Sequence, residues 1–124
     1  MARRDWMMLA ALGGFASVAF GAFAAHGVAD PIAKDLLRTG SLYGFMHSLA
    51  TIACAVFLQL GARRARFAPA LFLIGIVLFS GSLYALAFGA PRWIGAVTPI
   101  GGLSFMAGWL TLAWAAREID RAQA

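Results

Sequence analysis

The chain is expected to be an all-α integral membrane protein with four transmembrane helices. Two observations lead there. Hydrophobic residues make up 62% of the 124 positions and charged residues only 12%, about half of what covers the surface of a soluble domain. The charges are also clustered: residues 6–29, 39–62, 67–91 and 93–116 hold no Asp, Glu, Lys or Arg. A bilayer-spanning helix needs roughly 20 apolar residues. The expected spans are therefore about 6–26, 41–61, 67–89 and 94–116, in a single domain over residues 1–124, with little chain left for a soluble catalytic module.

Helix one begins after "MARRD" and closes with "FAAHGV". A basic start, an apolar stretch and an Ala-x-Ala sequence also suit a signal peptide, but the run is nearer twenty residues than the usual 7–15. Its Gly13, Ser17, Gly21 and Ala25 recur every fourth residue. That is a small-xxx-small stripe of the kind that lets helix backbones approach closely in lipid. The sequence leaves open whether the partner lies in the same chain.

The first loop, "ADPIAKDLLRTG", places Asp30 as an N-cap and Pro31 at the first helical position, and Gly40 reads as a stop. Ile32, Ala33, Leu36 and Leu37 share one face and Lys34, Asp35 and Arg38 the other. A short amphipathic helix is expected there, lying on the outer surface or packed on the bundle as a capped connector. Helix two follows and contains the single cysteine, Cys54, which reads as a small buried apolar residue.

Helix three carries Gly75 and the run Ser80, Gly81, Ser82. Helix four carries Gly101, Gly102, Ser104 and Gly108, with Pro99 in its outer end. Trp6, Trp93 and Trp114 fall near expected membrane interfaces, where amphipathic rings settle. Positive charge sets the orientation. Arg3, Arg4, Arg63, Arg64, Arg66, Arg117 and Arg121 lie on one side, against Lys34, Arg38 and Arg92 on the other. The positive-inside rule makes the first side cytoplasmic, so the topology is N-in/C-in. The net charge of +5 reports that orientation and no nucleic-acid partner, since the basic residues form no separate module with interleaved aromatics.

At 1.5 Å of rise per residue, the polar residues of the four spans fall in the outer half of the membrane, with His47 roughly 7 Å below the outer edge if helix two starts near Leu42. His26, Tyr43, His47, Ser80, Ser82, Tyr84 and Thr98 are the candidate ligand-binding set, because intramembrane polar residues mark sites more often than chance. The competing explanation is interhelical hydrogen bonding that ties the helices together. His26 and His47, with Met46 nearby, also suggest a metal or haem site, but no ligand spacing supports one. No metal and no cofactor are expected. With no carboxylate in any window and no Ser-His-Asp set, the chain is expected not to be an enzyme.

"GAFAAHG" at 21–27, "YGFMHSLA" at 43–50, "FSGSLYALA" at 79–87 and "TPIGGLSFMAGW" at 98–109 resemble, in order, the DUF423 family of small bacterial membrane proteins, to which the animal transmembrane protein 256 is similar. The common form "GAFGAHG" differs here only at Ala24. The resemblance implies a multi-pass protein of the bacterial inner membrane and carries no known activity, ligand or catalytic residue across. The functions that remain are a non-catalytic binder of a small ligand or lipid, or an accessory subunit of a membrane complex. The alternatives are a small oligomeric transporter or channel, and a His-ligated redox or metal protein. The lipid bilayer is the expected partner, with a homo-oligomer or a larger membrane complex as further assemblies.

Overall fold

A computed structural model describes residues 1–121. All regular structure in it is helical, and four segments are long and apolar enough to cross a membrane: Arg3–His26, Pro31–Gln59, Arg63–Ala87 and Arg92–Ala116. The first is α1 (Arg3–His26) and the second α2 (Pro31–Gln59). The third begins with a 3-10 turn, Arg63–Phe67, and continues as α3 (Ala68–Gly75), a π-helical turn at Ile76–Ser80 and α4 (Gly81–Ala87). The fourth begins with a 3-10 turn, Arg92–Ala96, and continues as α5 (Val97–Ala116).

The separate amphipathic helix does not form. Asp30 caps as expected, its carboxylate accepting from the Ala33 N–H at 3.1 Å, but the helix then runs without a break through Gly40 to Gln59. Gly40 is a packing position rather than a stop: a Cβ there would sit 2.6 Å from the Tyr84 ring. At 1.5 Å per residue, α2 is about 43 Å long, against a hydrocarbon core of ~30 Å, so its first turns project beyond the core. The true stops are Gly61 and Gly89, with φ of 90° and 96°. In both, the following N–H reaches back five residues, Ala62 to the Phe57 carbonyl at 2.9 Å and Ala90 to the Ala85 carbonyl at 3.0 Å. This closure needs a left-handed residue, which glycine supplies without a Cβ clash.

Two seams hold the bundle. Between the antiparallel α1 and α2, each small residue of one helix meets a small residue of the other. Gly13 faces Ser48, Ser17 faces Gly44 and Gly21 faces Ser41, and the Ser41 hydroxyl donates to the Ser17 carbonyl. The helix-one stripe thus closes on α2 of the same chain, though it ends at Gly21, since Ala25 is exposed. Between the third and fourth spans the seam is glycine against phenylalanine: Gly75 takes the Phe105 ring, Gly108 the Phe72 ring, and Gly101 lies on the Phe79 backbone. The Ser104 hydroxyl donates to the Leu71 carbonyl at 2.6 Å.

The largest buried apolar cluster, which includes Cys54, Phe72, Phe105 and Leu112, also takes in Trp6. Trp6 is therefore packed into the core, whereas Trp93 and Trp114 are exposed. The Arg64 guanidinium lies over the Trp114 ring at 4.3 Å and pairs with Glu118 at 3.0 Å.

Candidate functional site

The seven polar candidates do not converge. They divide among three places and one isolated position. Ser80 and Tyr84 belong to the junction of α1, α2 and α4. The Ser80 hydroxyl donates to the Gly40 carbonyl at 2.7 Å. The Tyr84 hydroxyl lies beside the Ser17 and Ser80 hydroxyls without a partner in hydrogen-bonding geometry, while its ring stacks on Phe20 at 4.0 Å. Ser82 and Thr98 share a 2.5 Å hydrogen bond and tie α4 to the start of α5. His26 is exposed at the end of α1.

Tyr43 and His47 are the pair that reaches a hollow. His47, 4% exposed, lies between α2 and α5. Its Nδ1–H donates to the Tyr43 carbonyl at 2.6 Å, the carbonyl one turn back on its own helix. Its Nε2 accepts from the Trp109 indole N–H at 3.0 Å. The second bond requires a lone pair on Nε2, so the proton belongs on Nδ1 and the ring is the neutral tautomer. The Phe105 ring stacks on the imidazole at 3.5 Å, and Trp109 meets it edge-on at 5.8 Å. Both nitrogens are thereby committed, and neither offers a lone pair to a metal. His26 lies beyond the level of Gly21, which faces Ser41, and is roughly 16 Å from His47 along the helix axes. The two histidines cannot share an ion. Among the described residues no three His, Cys, Asp or Glu side chains stand together.

His47 forms part of the floor of a lateral groove of about 710 Å³. Tyr43 and Met46 of α2 make one wall and Leu103, Met106 and Trp109 of α5 the other, with Phe79 of the π turn and Phe105 between them. Pro99 and Gly102 complete the α5 side. Leu103 and Met106 remain 65% and 62% exposed, so the groove opens sideways, toward what surrounds the bundle. The π turn carries an extra residue relative to an α-helical turn, a feature frequent at functional sites; here its Phe79 packs against Tyr43 at 4.8 Å and Phe105 at 5.5 Å.

Distance along the helices can also be counted from the charged ends of the spans. Because α2 starts at Pro31, the proper reference is Arg38, the last charged residue on that helix. His47 then lies roughly 14 Å deep, and Trp109 lies roughly 12 Å from Arg117 at the other end of its span. The hydrogen bond between them is near the middle of both charge-free windows. Sequence reasoning missed Trp109, Phe105, Leu103, Met106 and Gly102. The available signal was the segment "GGLSFMAGWL" itself, whose large residues recur at 103, 106 and 109–110 on one helical face.

Residues 20–102 match the family model described as "Protein of unknown function (DUF423)". That range takes in Tyr43, His47 and the π turn and stops short of Phe105 and Trp109. The chain is 46% identical to a UPF0382 membrane protein of Haemophilus influenzae, over 90% of this chain and 93% of that one. It is 38% identical to the UPF0382 inner membrane protein YgdD of Escherichia coli K12, over 98% and 95%. It is 37% identical to a UPF0382 membrane protein of Staphylococcus saprophyticus, over 86% and 92%. No solved structure matches. With four membrane-crossing helices and relatives that match nearly end to end, the chain belongs to the DUF423 family of multi-pass membrane proteins.

Proposed function

We propose that this protein is a non-catalytic lipid-binding protein of the inner membrane, with both termini cytoplasmic, and that it holds the hydrocarbon chain of a membrane lipid in the groove between α2 and α5. The observation that carries the reading is the commitment of His47. A histidine in hydrocarbon is a costly group that functions when one of its nitrogens is free to bind or move a proton. Here both are spent on the groove wall: one fixes the ring to α2, the other holds Trp109 in place. The imidazole positions an aromatic wall and leaves the groove apolar. An apolar groove open to the bilayer suits a hydrocarbon chain, and few other solutes reach the midplane. The same commitment weighs against the metal and redox alternatives and against a proton path through His47. The surplus of arginine at the termini and in the Arg63–Arg66 turn supports the orientation.

Fluorescence quenching tests the reading. Trp93→Phe and Trp114→Phe leave Trp109 as the exposed indole, because Trp6 is buried. The protein is reconstituted with lipids brominated on their acyl chains and then extracted into detergent free of brominated lipid. The expected result is persistent quenching of Trp109, relieved when Gly102→Leu fills the groove. Full Trp109 fluorescence after extraction of the unfilled protein would overturn the proposal.

A further inference from the structure

A second, separate hollow lies on the outer side of Tyr43. Moving outward by one turn on both antiparallel helices, the pair Tyr43–Phe79 is succeeded by Thr39 and Leu83. These two line the hollow, of about 230 Å³, together with Ile32, Leu36 and Asp35. Its α2 residues border the face that Tyr43 and His47 continue; Asp35, which the linear pattern set opposite Ile32 and Leu36, lines the same hollow as they do. Tyr43 and Phe79, in contact with their ring centroids 4.8 Å apart, form a ridge between the two hollows. The upper hollow lies at the level where α2 leaves the hydrocarbon, since Arg38 is the last charged residue before the apolar run.

Its polar group is a carboxylate. The acidic residues Asp5, Asp30 and Glu118 are each engaged, Asp5 with the Ala2 N–H and Arg4, Asp30 as the α2 cap, and Glu118 with Arg64. Asp35 and Asp120 have no ion-pair partner within 4.0 Å among the described residues, and of the two only Asp35 lines a hollow. Its neighbour Arg38 lines a different cleft, between α1 and α2. The track therefore has an acid at its surface end, a hydroxyl at Thr39 one turn deeper, and hydrocarbon below.

We infer that the occupant of this track is a phospholipid with a primary ammonium headgroup, its ammonium against Asp35 and one acyl chain lying across the outward edge of the Tyr43–Phe79 ridge to reach Trp109. The inference rests on the lipid-binding reading of the lower groove and adds which lipid is chosen. An ammonium complements the carboxylate and can donate hydrogen bonds to it. An anionic headgroup without an amine meets a like charge there.

The test is native mass spectrometry of the full chain released from vesicles of equimolar phosphatidylethanolamine and phosphatidylglycerol with identical acyl chains. Wild type is expected to retain phosphatidylethanolamine over phosphatidylglycerol about threefold or more, the range open to one partly exposed charge pair. Asp35→Asn should bring the ratio to about one, and Asp35→Lys should invert it. Asp35 is exposed, so these variants leave the packed interior intact. Equal retention by wild type, or an unchanged ratio in Asp35→Asn, overturns the headgroup assignment while leaving the groove reading standing, provided Gly102→Leu loses lipid of both kinds. If Gly102→Leu retains as much of both as wild type, the lipid is not in the groove and both readings fall.

Discussion

Two faces of α2 solve opposite problems with adjacent residues. On one face Gly40, Gly44 and Ser48 let α1 and α4 approach until hydroxyls meet backbone, as where Ser80 reaches the Gly40 carbonyl at 2.7 Å. On the other, Tyr43, Met46 and His47 keep α5 at a distance, and the contact is made by long side chains: the His47–Trp109 hydrogen bond and the Phe105 stack. In lipid there is little hydrophobic gain from bringing two apolar helices together, so a seam closes only where small residues permit dispersion contacts and short hydrogen bonds. Where the residues are large, the helices are propped apart and a groove is left. The same helix is thus glued on one side and held open on the other, and the period of the α-helix decides which residue does which.

The contrast is sharpest at two neighbouring glycines of α5. A Cβ at Gly101 would fall on the Phe79 backbone, which cannot rotate aside. A Cβ at Gly102 meets only the Phe79 ring, at 3.9 Å, and points into the groove. Gly101→Ala is therefore expected to cost the most, about 3 kcal/mol, read as a shifted midpoint of reversible unfolding in mixed micelles; a variant as stable as wild type would contradict the α5–π turn packing. Gly44→Ala tests the α1–α2 seam. Its Cβ would lie 2.6 Å from the Ser17 hydroxyl and 3.0 Å from that of Ser80, groups that can turn away in part, so the expected cost is about 1–2 kcal/mol in the same titration.

Trp109→Phe probes the propped side. It removes one hydrogen bond near the middle of both spans and leaves the His47 Nε2 unpaired, for about 1 kcal/mol. If His47→Phe in the Trp109→Phe background costs as much as it does alone, the two residues are not coupled and the wall described here is wrong. Gly102→Leu should change stability least, by no more than about 0.5 kcal/mol, while abolishing retention of lipid seen by mass spectrometry. A large destabilisation there would mean that the groove is closed in the membrane.

Much of this was visible in the linear chain. Four charge-free windows mark the four spans, and their limits differ from the observed helices chiefly where helix continues past a charge, as in Pro31–Arg38. Asp30 and Pro31 announced a real helix start because capping is local: a side chain bonding a backbone three residues on needs no neighbour. Gly40 misled for the opposite reason. A glycine marks either a helix end or a close approach, and the choice lies with Tyr84, forty-four residues away. Of the candidate site, Tyr43 and His47 were found because an ionisable group in an apolar run stands out by itself. Trp109 was not, since an indole in a membrane helix is unremarkable until its N–H is seen to meet an imidazole.

The sequence by itself determined that this chain has four membrane-crossing helices, where its second and third turns fall and most of the stripe through which helix one packs, because hydropathy, charge and small-residue periodicity act along one helix at a time. The tertiary structure decided what each stripe packs against, that the polar residues serve separate junctions, and that a groove remains between α2 and α5. Those outcomes depend on the axial offset and rotation of one helix against another, which are set by how glycines, serines and aromatic rings from distant positions fit together.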